Sequence, residues 1–262
     1  MNKKNPFLPC LSAKQLDFYY GSHQVLKNIN LTVQAGEFFS LIGPNGSGKS
    51  TLFKILGGLA NPRRGEVLYE GQTLQKINAR NRARCIAVVH QKSAQAMPFT
   101  CLESILLGLH PHRGRFEAIS PAQYQQVQQL MKLTDTLKLA GKLITQISGG
   151  EQQRVALCRA LVQKPKVLLL DEAMSELDVA ARMQMSGLLK KLCTGKKLTV
   201  LAIYHDLNLA YRFSDKIYVL KEGACASFGP PAEVMTKDLF RRVFRVQAEV
   251  FANKGFFIKN TI

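Results

Sequence analysis

The sequence predicts an α/β fold: a mostly parallel sheet covered by helices, with an antiparallel β part ahead of it and a helical part inserted into it. Three observations carry this reading. Short, fully apolar runs of strand length recur with helical segments between them, the pattern of a sheet buried on both faces. Residues 11–33 instead read as two strands folded back around one turn. From about 98 to 161 a helical period dominates and interrupts the alternation.

The turn in the first segment is Tyr20-Gly21-Ser22, and Val25, Ile29, Leu31 and Val33 supply the apolar positions after it. Ala35-Gly36-Glu37 makes a second turn, and residues 38–42 form a compact apolar strand. A glycine-rich loop follows, then a helix over about 49–56 that Gly57-Gly58 and Asn61-Pro62 bring to an end. Residues 65–70 and 86–89 are short strands, the second running straight into Gln91. In the helical stretch, Ser120-Pro121 pairs a capping residue with a proline at the first helical position. Residues 167–170 form a fully apolar strand ending on two carboxylates, and a helix follows over about 179–192. A strand over 198–204, a helix over 206–213 and a hairpin around Glu222-Gly223 come next. Residues 231–244 read as helical, and 246–259 as two edge strands around Lys254-Gly255.

Bulk properties narrow the class. The chain has 262 residues, 46% apolar and 21% charged, which is enough for a sizeable core and ordinary for a globular protein. The longest apolar runs are of strand length, well short of the ~18 residues a spanning helix needs. The start, Met1-Asn2-Lys3-Lys4, is followed by Pro6 and Pro9 rather than an apolar core, so a signal peptide is rejected and a cytosolic location expected. The six cysteines contain no CxxC pair, which argues against a zinc cluster or dithiol redox site and for reduced thiols. The formal charge of +18 is spread over small groups of Lys and Arg without interleaved aromatics. A generally basic, solvated surface or attraction to an anionic membrane leaflet fits that better than a nucleic-acid face.

Chemistry enters at Gly43-Pro44-Asn45-Gly46-Ser47-Gly48-Lys49-Ser50-Thr51, which meets the G-x-x-x-x-G-K-[ST] pattern in full, after an apolar strand and opening a helix. Glycines let successive backbone N–H groups turn inward onto phosphate oxygens, and the helix start adds partial positive charge. Lys49 then reaches the β- and γ-phosphates, the Ser50 hydroxyl holds Mg²⁺, and Thr51 lies close by. A dinucleotide fold is excluded, because Lys49 and Ser50 follow Gly48 where a third glycine would be needed. Asp171 and Glu172 close the strand at 167–170, and the carboxyl edge of a parallel sheet is where ligands bind. Asp171 suits Mg²⁺, and Glu172 suits the orienting or deprotonation of an attacking water.

Those features fit any P-loop ATPase. Ile147-Ser148-Gly149-Gly150-Glu151-Gln152-Gln153-Arg154 narrows the choice, for it resembles the signature segment of ABC-type ATPases, usually written LSGGQ. The resemblance covers almost the whole chain, and the motifs stand in the family's order. It implies a P-loop NTPase (RecA-like) core with an N-terminal antiparallel β subdomain and an inserted α-helical subdomain. The whole of 1–262 would be one nucleotide-binding domain, with the insertion at about 95–162 and a C-terminal edge segment at 246–262.

The same resemblance implies the site. Tyr20 matches the aromatic that stacks on adenine, and Gln91 the glutamine that senses the γ-phosphate and Mg²⁺. Ser148, Gly149, Gly150 and Glu151 match the segment that contacts ATP held by a second copy, Asp178 lies on the loop that crosses between copies, and His205 matches the switch histidine. Glu172, His205, Gln91 and Lys49 are therefore the expected catalytic set, the loop 43–51 with Tyr20 the expected ATP site, and Ser50, Gln91 and Asp171 the expected Mg²⁺ ligands. Taken without the family, Ser148 and its glycines read as a capped, anion-attracting helix start. Glu172-Ala173-Met174-Ser175 departs from the family's Glu-Pro-Thr-Ser, which frees a backbone angle beside the catalytic acid.

Pro98-Phe99-Thr100, Leu107-Gly108-Leu109-His110-Pro111-His112 and His205-Asp206-Leu207-Asn208-Leu209-Ala210 resemble segments of the ATPases of importers for iron chelates, haem and cobalamin. That implies a homodimer working with an integral membrane permease and a substrate-binding protein, peripheral on the cytoplasmic face of the inner membrane, with no direct nucleic-acid binding. Two other readings stay open at this point: a non-transport ABC ATPase acting on nucleic acid or ribosomes, and an exporter-type ATPase.

Overall fold

The computed structural model describes residues 8–90, 98–114, 117–195, 198–251 and 255–261. In chain order the elements are β1 (Leu11–Tyr20), β2 (His23–Val33), β3 (Phe38–Ile42), α1 (Lys49–Leu56), β4 (Arg64–Tyr69), β5 (Gln72–Thr73), α2 (Ala79–Cys85), β6 (Ile86–Val89), α3 (Cys101–Leu106), α4 (Pro121–Leu133), α5 (Gly149–Val162), β7 (Val167–Asp171) and α6 (Val179–Thr194). They continue with β8 (Thr199–Ile203), α7 (Leu207–Phe213), β9 (Lys216–Lys221), β10 (Ala224–Gly229), α8 (Pro231–Val234), α9 (Lys237–Leu239), β11 (Val246–Phe251) and β12 (Gly255–Thr261). The chain divides into two compact units, residues 1–77 with 190–262, and residues 78–189.

In the first unit, β1 and β2 pair antiparallel from Leu11↔Val33 to Tyr20↔His23, and β4 joins the other side of β1 with Leu11 opposite Tyr69. Burial alternates along the end of β2, where Ile29, Leu31 and Val33 are buried between exposed Asn30 and Thr32, the pattern of a strand with one face on the core. β3 differs: all five of its residues are buried. It lies parallel between β8 (Phe38↔Val200) and β9 (Phe39↔Lys216), and β10 closes the hairpin on β9. A strand flanked on both sides and covered on both faces has no solvent side to show, which is why the run is apolar but for Ser40, whose buried hydroxyl pairs with that of Ser214.

The second unit pairs β6 and β7 in parallel, from Ile86↔Val167 to Val89↔Leu170. Its helices α3, α4 and α5 share a core of Cys101, Ile105, Val127, Met131, Val155, Cys158 and Val162. Each large apolar side chain buried there contributes about 1.5–3 kcal/mol relative to exposure. Both α3 and α4 start with reciprocal caps: Thr100 with Glu103, and Ser120 with Gln123. The stretch carries one isolated bridge, Thr100↔Leu143, among its described residues. Arg80 and Arg84 of α2 donate to the carbonyl of Pro111 at 3.2 and 2.9 Å, satisfying the end of the helical turn at Leu107–His112.

One helix is not expected from the sequence, and two local expectations differ from what is found. The helix α2 has no apolar stripe to announce it: its residues are ARNRARC and none is buried. It is held instead by Asn78, whose side chain accepts from Asn81 N at 2.9 Å. The helix expected over 231–244 is broken, because Thr236 caps a new start at α9 by accepting from Leu239 N. A wide turn at Phe240–Phe244 follows and ends at Arg245, with φ 57°. The strands expected at a sheet edge, β11 and β12, pair with each other as a separate two-stranded sheet. Phe256 anchors that sheet, its ring 4.4 Å from that of Phe240.

Candidate nucleotide site

In the first unit, buried β3 hands the chain to the loop Gly43–Gly48, and α1 begins at Lys49. The loop has one workable shape. At Gly43 φ is 153°, and a Cβ there would stand 2.0 Å from the carbonyl oxygen of Leu220 in β9. At Gly48 φ is 103°, and a Cβ would meet Leu26 Cδ2 at 2.9 Å. A side chain at either position is excluded by backbone angle and by space. Lys49 is buried, and its Nζ donates to the carbonyls of Gly43 and Pro44, both at 2.9 Å, folding the amine across the loop. Ser47 Oγ is buried with no hydrogen-bond partner. A buried cation folded across a glycine-rich loop at a helix start is an anion-binding arrangement.

The hairpin turn identified in the sequence has a second task. Gly223 N donates to Ser47 O at 3.1 Å, and Gly223 O accepts from Lys27 N at 2.8 Å, so the β9–β10 turn pins the phosphate loop. Beside it, Pro44–Ser47 line a cavity of about 450 Å³ together with Lys221, Glu222 and Val243–Arg245. The sequence marks Glu222 only as part of a hairpin turn and gives none of these last residues a place at the phosphate site, because nothing local in 221–222 or 243–245 signals one.

Of the other expected residues in this unit, Tyr20 ends β1. It is 52% exposed, with its ring edge-on to Phe18 at 5.0 Å, an open aromatic face at the β1–β2 turn. His205 is exposed just beyond β8, and Asp206 after it caps α7 by accepting from Asn208 N and Leu209 N. Gln91 lies outside the described residues.

In the second unit, Asp171 is the last residue of β7 and Glu172 follows in a left-handed conformation, φ 53°. A non-glycine residue held there carries about 1–3 kcal/mol of strain. Ala173 and Met174, which stand where the resemblance expects Pro and Thr, are both buried. Met174 O accepts from Arg182 Nε at 3.2 Å, and Met174 Sδ from Ser186 Oγ at 3.8 Å. A flexible thioether and a returning arginine therefore fix the segment that a proline would otherwise stiffen.

The signature segment opens α5 with a reciprocal cap. Glu151 N donates to Ser148 Oγ at 3.3 Å, while Glu151 Oε2 accepts from Ser148 N and Oγ, both at 2.9 Å. The backbone bond and then the hydroxyl bond from Ser148 hold the Glu151 carboxyl below its ordinary range. Asp178 caps the next helix, its Oδ1 accepting from Ala181 N at 2.8 Å. Ser148–Glu151, Arg154 and Glu176–Asp178 line one cavity of about 350 Å³. Thus the structure brings the signature and Asp178 together within the second unit, and the phosphate loop with its hairpin turn within the first.

A model of the ABC transporter family matches residues 26–175, a span that takes in the phosphate loop, the signature segment and both carboxylates. The chain belongs to the ABC transporter family. Members with this ATP-binding cassette are ATPases, and so is this chain. This ABC ATPase is 32% identical over 240 residues to the iron(3+)-hydroxamate import ATP-binding protein FhuC of Bacillus subtilis, covering 92% of this chain and 89% of that protein. It is 35% identical over 240 residues to the hemin import ATP-binding protein HmuV of Escherichia coli O157:H7, covering 89% and 91%. The ABC transporter ATP-binding protein YvrA of Bacillus subtilis is 35% identical over 235 residues, but this chain spans only 53% of its length. Further relatives at 30–35% identity are named for petrobactin, cobalamin and spermidine/putrescine import.

Among solved structures, this ABC ATPase matches a chain from a transporter assigned to the metal-chelate type, in an inward-facing conformation, at TM-score 0.79 and 25% identity, covering 95% of this chain and 96% of that one. It also matches the dimeric ATP-binding cassette MJ0796 bound to ADP and Pi at TM-score 0.75 and 32% identity, covering 84% and 98%. The α/β P-loop NTPase core with an antiparallel β part and helical parts, expected from the sequence, is the fold of these proteins. Among the described residues, no helix is long and apolar enough to cross a membrane.

Proposed function

We propose that this ATPase is the motor subunit of an importer for an iron chelate, haem or cobalamin, acting as a homodimer against a separate membrane permease. The observation that carries this reading is the glycine-shaped phosphate loop with Lys49 folded onto it, in a chain that matches about nine-tenths of relatives named for iron-hydroxamate and hemin import.

In this reading ATP lies on residues 43–51 with its adenine against Tyr20, and Lys49 neutralises the β- and γ-phosphates. The γ-phosphoryl group passes to water, giving ADP and phosphate. Glu172 orients and accepts the proton of that water, and His205 and Gln91 hold the γ-phosphate end. Ser50 and Asp171 supply hydroxyl and carboxylate oxygen, the donor chemistry Mg²⁺ prefers, with Gln91 as a further oxygen ligand. The ion, when bound, neutralises charge on the phosphates. Ser148–Glu151 of a second copy close over the nucleotide from the other side, with Asp178 on the crossing loop. The helical segment within about 95–162 of the single domain 1–262 passes the closure to the permease. A substrate-binding protein delivers cargo outside, and the ATPase stays peripheral on the cytoplasmic face.

The test uses Glu172→Gln, which keeps nucleotide binding and removes the base. Trapped with ATP in its own cells and purified from solubilised membranes, it should bring down a polytopic membrane protein. Uptake of labelled ferric hydroxamate, haem, cobalamin and spermidine should then fall selectively for one of the first three in cells lacking the gene. Recovery of only soluble proteins or nucleic acid overturns the importer reading. Selective loss of spermidine uptake would move the cargo to polyamines, the alternative that the relative named for spermidine/putrescine import supports.

A further inference from the structure

We infer that Glu176 is a resident anion on the signature helix, a carboxylate that must leave the start of α5 before a nucleotide phosphate can dock there. The inference rests on the proposed role of Ser148–Gly150 as the surface that takes the ATP of a second copy.

The geometry is specific. A Cβ on Gly149 would meet Glu176 Oε2 at 1.9 Å and Glu176 Cδ at 3.1 Å, so the carboxylate lies directly on that glycine. At Gly150 the nearest atom is the backbone oxygen of Glu176, at 3.0 Å. The backbone of Glu176 is tied down, since its N–H donates to Gln153 Oε1 at 3.0 Å while Gln153 Nε2 donates to Ser175 Oγ at 3.4 Å. Its side chain has room to turn, because residue 176 is exposed and borders the same 350 Å³ cavity as the signature.

The start of a fourteen-residue helix such as α5 attracts anions through N–H groups without intrahelical partners and through its partial positive charge. Glu151 already serves part of that need in the cap with Ser148. Glu176 takes the glycine face, which is the face the proposed function gives to phosphate. A phosphate arriving there meets a carboxylate in its seat and a like charge beside it. Arg154 is the basic residue of the cavity. Its Nε is buried without a hydrogen-bond partner, and its NH1 is 3.6 Å from Asp135 Oδ2. ATP-driven closure in this chain therefore carries a built-in electrostatic threshold, set by Glu176.

The experiment follows ATP-driven dimerisation of the Glu172→Gln protein by sedimentation velocity, alone and with Glu176→Gln or Glu176→Ala added. A carboxylate on a helix start is worth about two- to fivefold in an equilibrium, and each of the two sites in a dimer binds one ATP, so the half-saturating ATP should fall by roughly twofold to fivefold when the charge is removed. Both substitutions should act alike, and the gain should shrink as salt is raised, which a packing effect would not do. An unchanged or raised half-point in both variants, with thermal unfolding as in the parent, overturns the inference while leaving the proposed function intact. If Glu172→Gln does not dimerise with ATP at all, the proposed function fails and the threshold falls with it.

Discussion

Replacing Gly43 by alanine tests what shapes the phosphate loop. The new Cβ would stand 2.0 Å from Leu220 O, a backbone atom in β9 whose residue pairs with Cys225 across the hairpin and cannot swing aside as a side chain could. Holding alanine at φ 153° costs about 1–3 kcal/mol of strain. Forcing an extra methyl into the packed edge of the sheet costs about 1–3 kcal/mol more. Together these come to about 2–6 kcal/mol, a large part of a domain's ~5–15 kcal/mol. At ~2–4 °C per kcal/mol for a chain of this size, the melting temperature should fall by roughly 4–24 °C. Gly46→Ala is the internal control: φ is 75° but nothing lies within 4 Å of its Cβ, so only ~1–2 kcal/mol of backbone strain is expected. Thermal unfolding by circular dichroism, with binding of a fluorescent ATP analogue alongside, separates the two. Gly43→Ala should melt well below Gly46→Ala and lose nucleotide binding. If it melts at or above the control and still binds, the close approach of β9 is not what shapes the loop.

Two further outcomes follow from the cap and the cysteines. Because bonds from Ser148 hold Glu151 below its ordinary range, the stability it lends is present above the usual carboxylate pKa and is lost as pH falls through the lowered folded value. The deficit of Glu151→Gln in urea unfolding at pH 7 should therefore shrink below about pH 4, and an equal deficit at both pH values would refute the charged cap. Burial pushes the Cys193 thiol up to about 12 and shuts it from solvent; partial burial also raises the Cys225 thiol, but that residue is exposed. A maleimide at pH 8 should label Cys225 in the native protein and reach Cys193 only after unfolding, as peptide mapping would show; early labelling of Cys193 would contradict its burial.

The sequence alone carried the parts of this molecule whose cause is local. An apolar run, three glycines and a Lys-Ser pair announce strand, loop and helix at 38–56, because backbone angles and periodicity there depend on near neighbours. Ser120-Pro121 and Ser148 likewise announce helix starts, since a cap is made within one turn. Hydrophobic periodicity could not find α2, which buries none of its residues. Nor could it show that 231–244 breaks at Thr236, where a side-chain cap outcompetes continuation of the helix.

What only the tertiary structure decided are the contacts between segments far apart in the chain. Folding brings Leu220 against Gly43 and Gly223 against Ser47, and so fixes a phosphate loop that its own residues merely permit. Folding also lays Glu176 on Gly149 and opens a cavity between the loop 44–47 and Val243–Arg245. The physical reason is the same in each case: parallel strands and packed helices join residues with no sequence relation, so the space and charge each residue meets are set by neighbours that only the folded chain supplies.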